Sequence, residues 1–190
     1  MSEDKVIIYE ETGADPTTDV MTIQNGSGRT RVRAVGKPEQ MPELVSQLVD
    51  EGLTRVELCG AFGAAWHAAA GRAAAGRIPV GAIYYGFESL AGVASYKKRF
   101  EDGEVLSEAF IIVHDGADPS SDVVVHDKPG GGKTTFVAVP DEATAGLVAG
   151  RMASELQLIE LYGGPGPEGA EPAIRAVDGT VPVGVTAYRR

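Results

Sequence analysis

Apolar and polar positions along this chain follow two spacings, and the same succession of them occurs twice. Residues 6–10 and 109–113 are short apolar runs, each followed by Gly-Ala-Asp-Pro at 13–16 and 116–119. That composition reverses a chain, because Asp bonds its neighbouring backbone and Pro fixes φ. Residues 19–24 and 29–35 flank Asn25-Gly26-Ser27-Gly28, which predicts a β-hairpin. Lys128-Pro129-Gly130-Gly131-Gly132 takes the place of that turn in the second succession. Over residues 39–51, Met41, Leu44, Val45, Leu48 and Val49 recur at helical spacing, with Gly52 at the C-terminal cap position. The second helix of this kind starts at Asp141-Glu142, acidic residues suited to a helix N-terminus. Each succession then has a strand (55–59; 158–162), a glycine-rich turn, a helix and a last strand (78–84; 181–188).

The two successions are copies. At a fixed offset of 103, residues 6–86 give 24 identities in 81 positions, far above chance, so the chain is an internal duplication. The order βββαβαβ contains a βαβαβ half, whose right-handed crossovers imply parallel strands covered by helices. The expected fold is therefore α/β: two tandem modules with mixed, partly parallel sheets and the antiparallel hairpin at one edge. The modules are placed at 1–86 and 106–190. Residues 87–105 between them read as a linker helix, with Phe87, Leu90, Ala91, Ala94 and Phe100 on one face and Lys97, Lys98 and Arg99 near its end. A pseudo-twofold fused dimer is expected, as a monomer or as a homodimer, with the halves packed as one globular unit or kept as two.

Composition narrows the partners. With 43% hydrophobic and 23% charged residues the chain can build a core, and its net charge of -10 offers no grip on nucleic acid or anionic membranes. No apolar run approaches the ~18 residues of a membrane span. The acidic start at Glu3-Asp4 lacks a secretory signal, and the single Cys59 suits a reducing compartment, so a cytoplasmic protein is expected.

The residues quoted so far resemble a bacterial domain family of unknown function. The resemblance rests on the Gly-Ala-Asp-Pro turn, on Glu-Leu-Cys-Gly-Ala-Phe-Gly at 57–63 and on Ile-Pro-Val-Gly at 78–81. It is carried again by Glu-Leu-Tyr-Gly-Gly-Pro-Gly-Pro-Glu-Gly at 160–169 and Val-Pro-Val-Gly at 181–184. It covers nearly the whole chain apart from the linker, as two copies fused in tandem, and implies no catalytic residues.

Glu57 and Glu160 carry the candidate chemistry. Each stands among aliphatic neighbours in a strand, three residues before a glycine turn, where an unpaired carboxylate is costly. Ligands of open α/β sheets bind beyond the carboxyl ends of the strands, so a general base or a polar anchor is one reading. A structural ion pair with Arg72 or Arg175, which share the offset, is the other. Gly60, Phe62 and Gly63, and likewise Gly163 and Gly166, form strand-to-helix turns suited to an anion or simply to close packing. Copy one adds Trp66 and His67, an aromatic and a titratable group beside the turn. Tyr85 and Tyr188 end the last strands, where they lend a hydroxyl to a ligand or cap the core.

Gly130-Gly131-Gly132-Lys133-Thr134 lies in a hairpin and lacks the first glycine of a phosphate-binding loop. His114 and His126 have no metal-ligand spacing, and no cofactor is expected. The leading reading is a small-molecule-binding protein, extending to a cofactor-independent isomerase, lyase or cyclase with Glu57 as acid/base and His67 or Tyr85 assisting. The alternative is a non-catalytic scaffold or accessory subunit with structural Glu–Arg pairs. An anion or nucleotide sensor, with phosphate held at the Gly60 turn, is the third.

Overall fold

The computed structural model describes residues 3–188, which divide into two compact units. Of the described residues, one comprises 3–83 together with 186–188; the other runs Tyr84–Val185 and includes the linker helix.

The first unit is built from β1 (Glu3–Glu10), the hairpin strands β2 (Asp19–Asn25) and β3 (Gly28–Val35), α1 (Met41–Asp50), β4 (Arg55–Leu58), α2 (Gly63–Ala73) and the greater part of β5 (Val80–Tyr85), whose Tyr84 and Tyr85 belong to the second unit. Strands β3, β1, β4 and β5 pair in parallel in that order, and β2 closes the edge antiparallel to β3. Val6, Ile7 and Ile8 are all fully buried, so β1 is an unbroken apolar run covered on both faces, as a central parallel strand must be.

The second unit holds α3 (Leu90–Glu101), β6 (Glu108–Val113), β7 (Val123–Asp127), β8 (Lys133–Val139), α4 (Glu142–Met152), β9 (Leu158–Tyr162), α5 (Gly166–Val177) and the first half of β10 (Val183–Tyr188), whose residues 186–188 belong to the first unit. Its strands run β7-β8-β6-β9-β10, parallel except for the edge strand β7. Ala109, Ile111, Val137, Ile159 and Leu161 meet Val148 and Ala149 of α4 and Ala173 and Val177 of α5 in one core. Asp141 caps α4 by accepting the Thr144 amide at 2.7 Å. The mixed α/β class and the hairpin at one edge of each sheet match the expectation from the sequence.

Two local readings change. The last strands begin at Val80 and Val183 rather than at 78 and 181, because Pro79 and Pro182 have no N–H to place in a ladder. Their carbonyls still accept the Val56 and Ile159 amides at 3.1 and 3.0 Å. The second change concerns the repeat itself. Val6 and Ile8 stand beside Arg31 and Arg33, whereas their copies Ala109 and Ile111 stand beside Thr135 and Val137. Strands β3 and β8 therefore correspond at an offset of 104, one more residue than a fixed offset allows.

Candidate functional site

Strand alternation decides where the two glutamates point. Ile159 and Leu161 belong to the helix-covered core, so Glu160 between them projects from the opposite face of the sheet. Glu57, between the buried Val56 and Leu58, is its copy. Neither reaches water: Glu57 is 0% and Glu160 2% exposed. A carboxylate so placed is tolerable only with hydrogen-bond donors around it.

The donors are tyrosines. Tyr188 Oη donates a short hydrogen bond to Glu57 Oε1. Tyr85 Oη donates to Glu160 Oε1 at 2.7 Å, and Tyr162 Oη to Glu160 Oε2 at 2.5 Å. Each glutamate thus receives the strand-end phenol of the other sequence repeat. This corrects two expectations. Tyr85 serves Glu160 instead of assisting Glu57. The Glu–Arg pairs give way to Glu–Tyr pairs, since Arg72 is exposed on α2 and Arg175 bridges Glu171 at 2.6 Å. The physical reason is the alternation just described: the helices cover the face that Glu160 does not share.

A bare glycine makes room for the Tyr188 phenol. Gly81 is the β5 partner of Glu57. A Cβ there would lie 2.8 Å from the Tyr188 ring and 2.7 Å from Thr186 Cγ2. Gly184 holds the same place beside Glu160.

The two centres differ in what lies beyond the phenol. In the first unit the Arg55 guanidinium sits 5.4 Å from the centroid of the Tyr188 ring and pairs with Glu3 at 2.7 Å. The side chains of Arg55 and Glu3 are 29% and 37% exposed. Polar groups therefore run without a break from a sealed carboxylate to the surface. In the second unit the copy of Arg55 is the buried Leu158, and the copy of Cys59 is Tyr162, the second phenol on Glu160. Tyr162 also packs its ring 5.1 Å from Phe110, so that carboxylate is enclosed by aromatics. Burial, and then the charge and hydrogen bond of Glu57, push the Tyr188 phenol far above the ordinary tyrosine value; Arg55 offsets only part of this.

The remaining candidates take structural places. His67 Nε2 lies 3.0 Å from the Val80 carbonyl oxygen, fastening α2 to β5. Trp66 is half-buried beside it, while Phe62 and Cys59 are buried. Gly60 opens a 3-10 turn, Gly60–Phe62, and Gly63 (φ 63°) starts α2 behind it. Gly163, at φ 95°, allows no side chain: a Cβ would stand 2.2 Å from the Val113 carbonyl oxygen. Gly166 (φ 66°) starts α5. Asp15 and Asp118 accept the Thr17 and Ser120 amides at 2.9 Å, as turn residues do.

Arg55 and Glu3 are the site residues that motif reasoning passes over. The available signal was Arg55 standing two positions before Glu57, on the same strand face. Among the described residues no group of three or more His, Cys, Asp or Glu is placed to hold a metal, and no helix is long and apolar enough to cross a membrane.

Comparison with known proteins places the chain in a family. The model of a family of unknown function, DUF6506, matches residues 4–98 and again 106–190. No curated protein matches. Among solved structures, a carbohydrate transporter from Acidothermus cellulolyticus in complex with myo-inositol aligns at 12% identity and TM-score 0.30, over 96% of this chain and 73% of its own. An ABC domain from Streptococcus pneumonia in complex with L-Trp gives 9% and 0.30 over the same shares. A Mycobacterium smegmatis protein gives 12% and 0.33, over 93% and 69%. Two of these three hold a small molecule, but likeness at this level is no basis for a function here.

Proposed function

We propose, for a chain that belongs in both halves to DUF6506 and takes no activity from that family, that it binds a small metabolite at Glu57. The finer reading is a cofactor-independent isomerase, lyase or cyclase in which Glu57 is the acid/base. The single observation behind this is the difference between two buried carboxylates that began as copies. Glu57 has a guanidinium beside its phenol and a polar route to water, through Tyr188, Arg55 and Glu3, whereas the copy of Arg55 next to Glu160 is the buried Leu158.

Glu57 is sealed by Tyr188, so the ligand takes the place of the half-buried phenol. A ligand hydroxyl or enol takes over the hydrogen bond to Oε1. Arg55 then faces the oxygen on which negative charge collects as a proton moves, which is the stabilisation such chemistry needs. Glu160, held by two phenols, keeps a structural role.

A thermal-shift screen of carboxylates, sugar phosphates and nucleotides tests this. At least one class is expected to raise the Tm of the wild type, to lose that effect in Glu57→Gln, and to keep it in Glu160→Gln. The rival reading is a scaffold in which both Glu–Tyr pairs only hold the fold, and the complete burial of both carboxyls favours it. It predicts that no compound shifts Tm and that both substitutions lower it alike.

A further inference from the structure

The second unit contains a cavity walled by residues whose register places the first unit gives to two arginines. Its volume is about 300 Å³, and it opens between the hairpin and α4. Thr135 and Val137 of β8 form one wall, and Val148 and Met152 of α4 the other. By register, Thr135 and Val137 stand where the first unit has Arg31 and Arg33. There the strand carries two guanidinium groups instead, Arg31 against Asp4 at 3.3 Å and Arg33 against Asp19 at 2.7 Å. In the second copy a Thr and a Val replace them, and Ser107 replaces Asp4, so both the bulk and one of the paired charges are gone. Asp122, which keeps the place of Asp19, turns its carboxylate to the Asp118 amide at 2.8 Å.

Two polar groups at this cavity have donors with no partner among the described residues. The Thr135 side chain is more than nine-tenths buried, lines the cavity, and makes no hydrogen bond to any described residue. Arg151 stands at the mouth with Nε on the Leu147 carbonyl at 3.3 Å, and no carboxylate of the described residues pairs with it. That is notable in a chain with 27 acidic and 17 basic residues. A cation at the rim, a hydroxyl on the wall and aliphatic sides call for an amphiphile with one negative charge. A second negative charge is disfavoured, because Ser120 at the rim donates to the Asp118 carboxylate at 2.7 Å.

We infer that this cavity is a binding site for a small monocarboxylate with an apolar body, a short-chain or aromatic acid, anchored by Arg151 and Thr135. The site shares no residue with the Glu57 centre and does not rest on its function.

An NMR titration of the full chain with hexanoate, benzoate and the uncharged hexanol tests it. Both acids should shift the amides of Thr135, Val137, Val148 and Arg151, and hexanol should bind about tenfold more weakly, as the loss of one charge-assisted contact implies. Arg151→Gln, an exposed position that leaves folding intact, should weaken hexanoate about tenfold and leave hexanol unchanged. Thr135→Val should weaken both acids while keeping the shape of the wall. Glu57→Gln should alter none of this, which separates the two sites. The inference is overturned if the acids leave those amides unmoved, or if Arg151→Gln binds hexanoate as tightly as the wild type.

Discussion

At the scale of single residues, the chain keeps two carboxylates in its interior by giving each a phenol. Removing a donor from a buried acceptor costs roughly 1–3 kcal/mol, so Tyr188→Phe should lower the unfolding free energy by about that amount. Tyr85→Phe should cost less, since Glu160 keeps its bond from Tyr162. Tyr188 also sets a pH dependence. Its phenol titrates above the ordinary value of 10.0 in the folded chain, so the neutral form is the one the fold favours. The associated stability is complete below that value and is lost as pH rises beyond it, where the unfolded chain ionises first. Urea midpoints measured at about pH 9 and about pH 11 should show this loss in the wild type and much less of it in Tyr188→Phe. That the glutamates are buried was legible from their aliphatic neighbours in the strand. Their partners were not, because alternation fixes the face of a side chain and leaves open which strand end arrives over it.

At the scale of elements, period and turn chemistry foretold most of the structure. The helices, the hairpins and the parallel strands stand where apolar spacing put them. The misjudged strand starts came from reading Pro79 and Pro182 as strand interior, although a residue without an N–H belongs before a ladder and not within it. The shifted register of β8 was hidden for a different reason. One extra residue in the hairpin, balanced by one fewer between β8 and α4, leaves the flanking motifs at the old offset, and only cross-strand pairing exposes it. β5 carries the sharpest prediction at this scale. Gly81→Ala would press a methyl group into Thr186 and the Tyr188 ring, a misfit of the kind that costs about 1–3 kcal/mol. Thermal unfolding should show that loss, and Tyr188→Phe should not relieve it, because the contact is with ring carbons.

At the scale of the whole molecule, the boundaries of the sequence repeat and of the compact units differ. Residues 186–188 are written in the second copy and belong to the first unit. Deleting residues 186–190 should therefore weaken the first unit selectively. Hydrogen exchange at the β4 amides Val56, Glu57 and Leu58 is expected to accelerate, while exchange at Ile111 and Val137 changes little. Equal acceleration in both places would show that the tail supports the chain as a whole. No periodicity announces this arrangement, because a repeat search aligns like with like and is blind to exchange.

The hydrogen bond between Tyr188 and Glu57 joins positions 131 residues apart. During synthesis the amino-terminal half leaves the ribosome first, yet its buried carboxyl meets the Tyr188 phenol only after position 188 has been made. Contacts of such long sequence separation form late and slowly. The half made first is thus completed late, and a nascent chain stalled before β10 would carry this interior acid without the phenol that covers it.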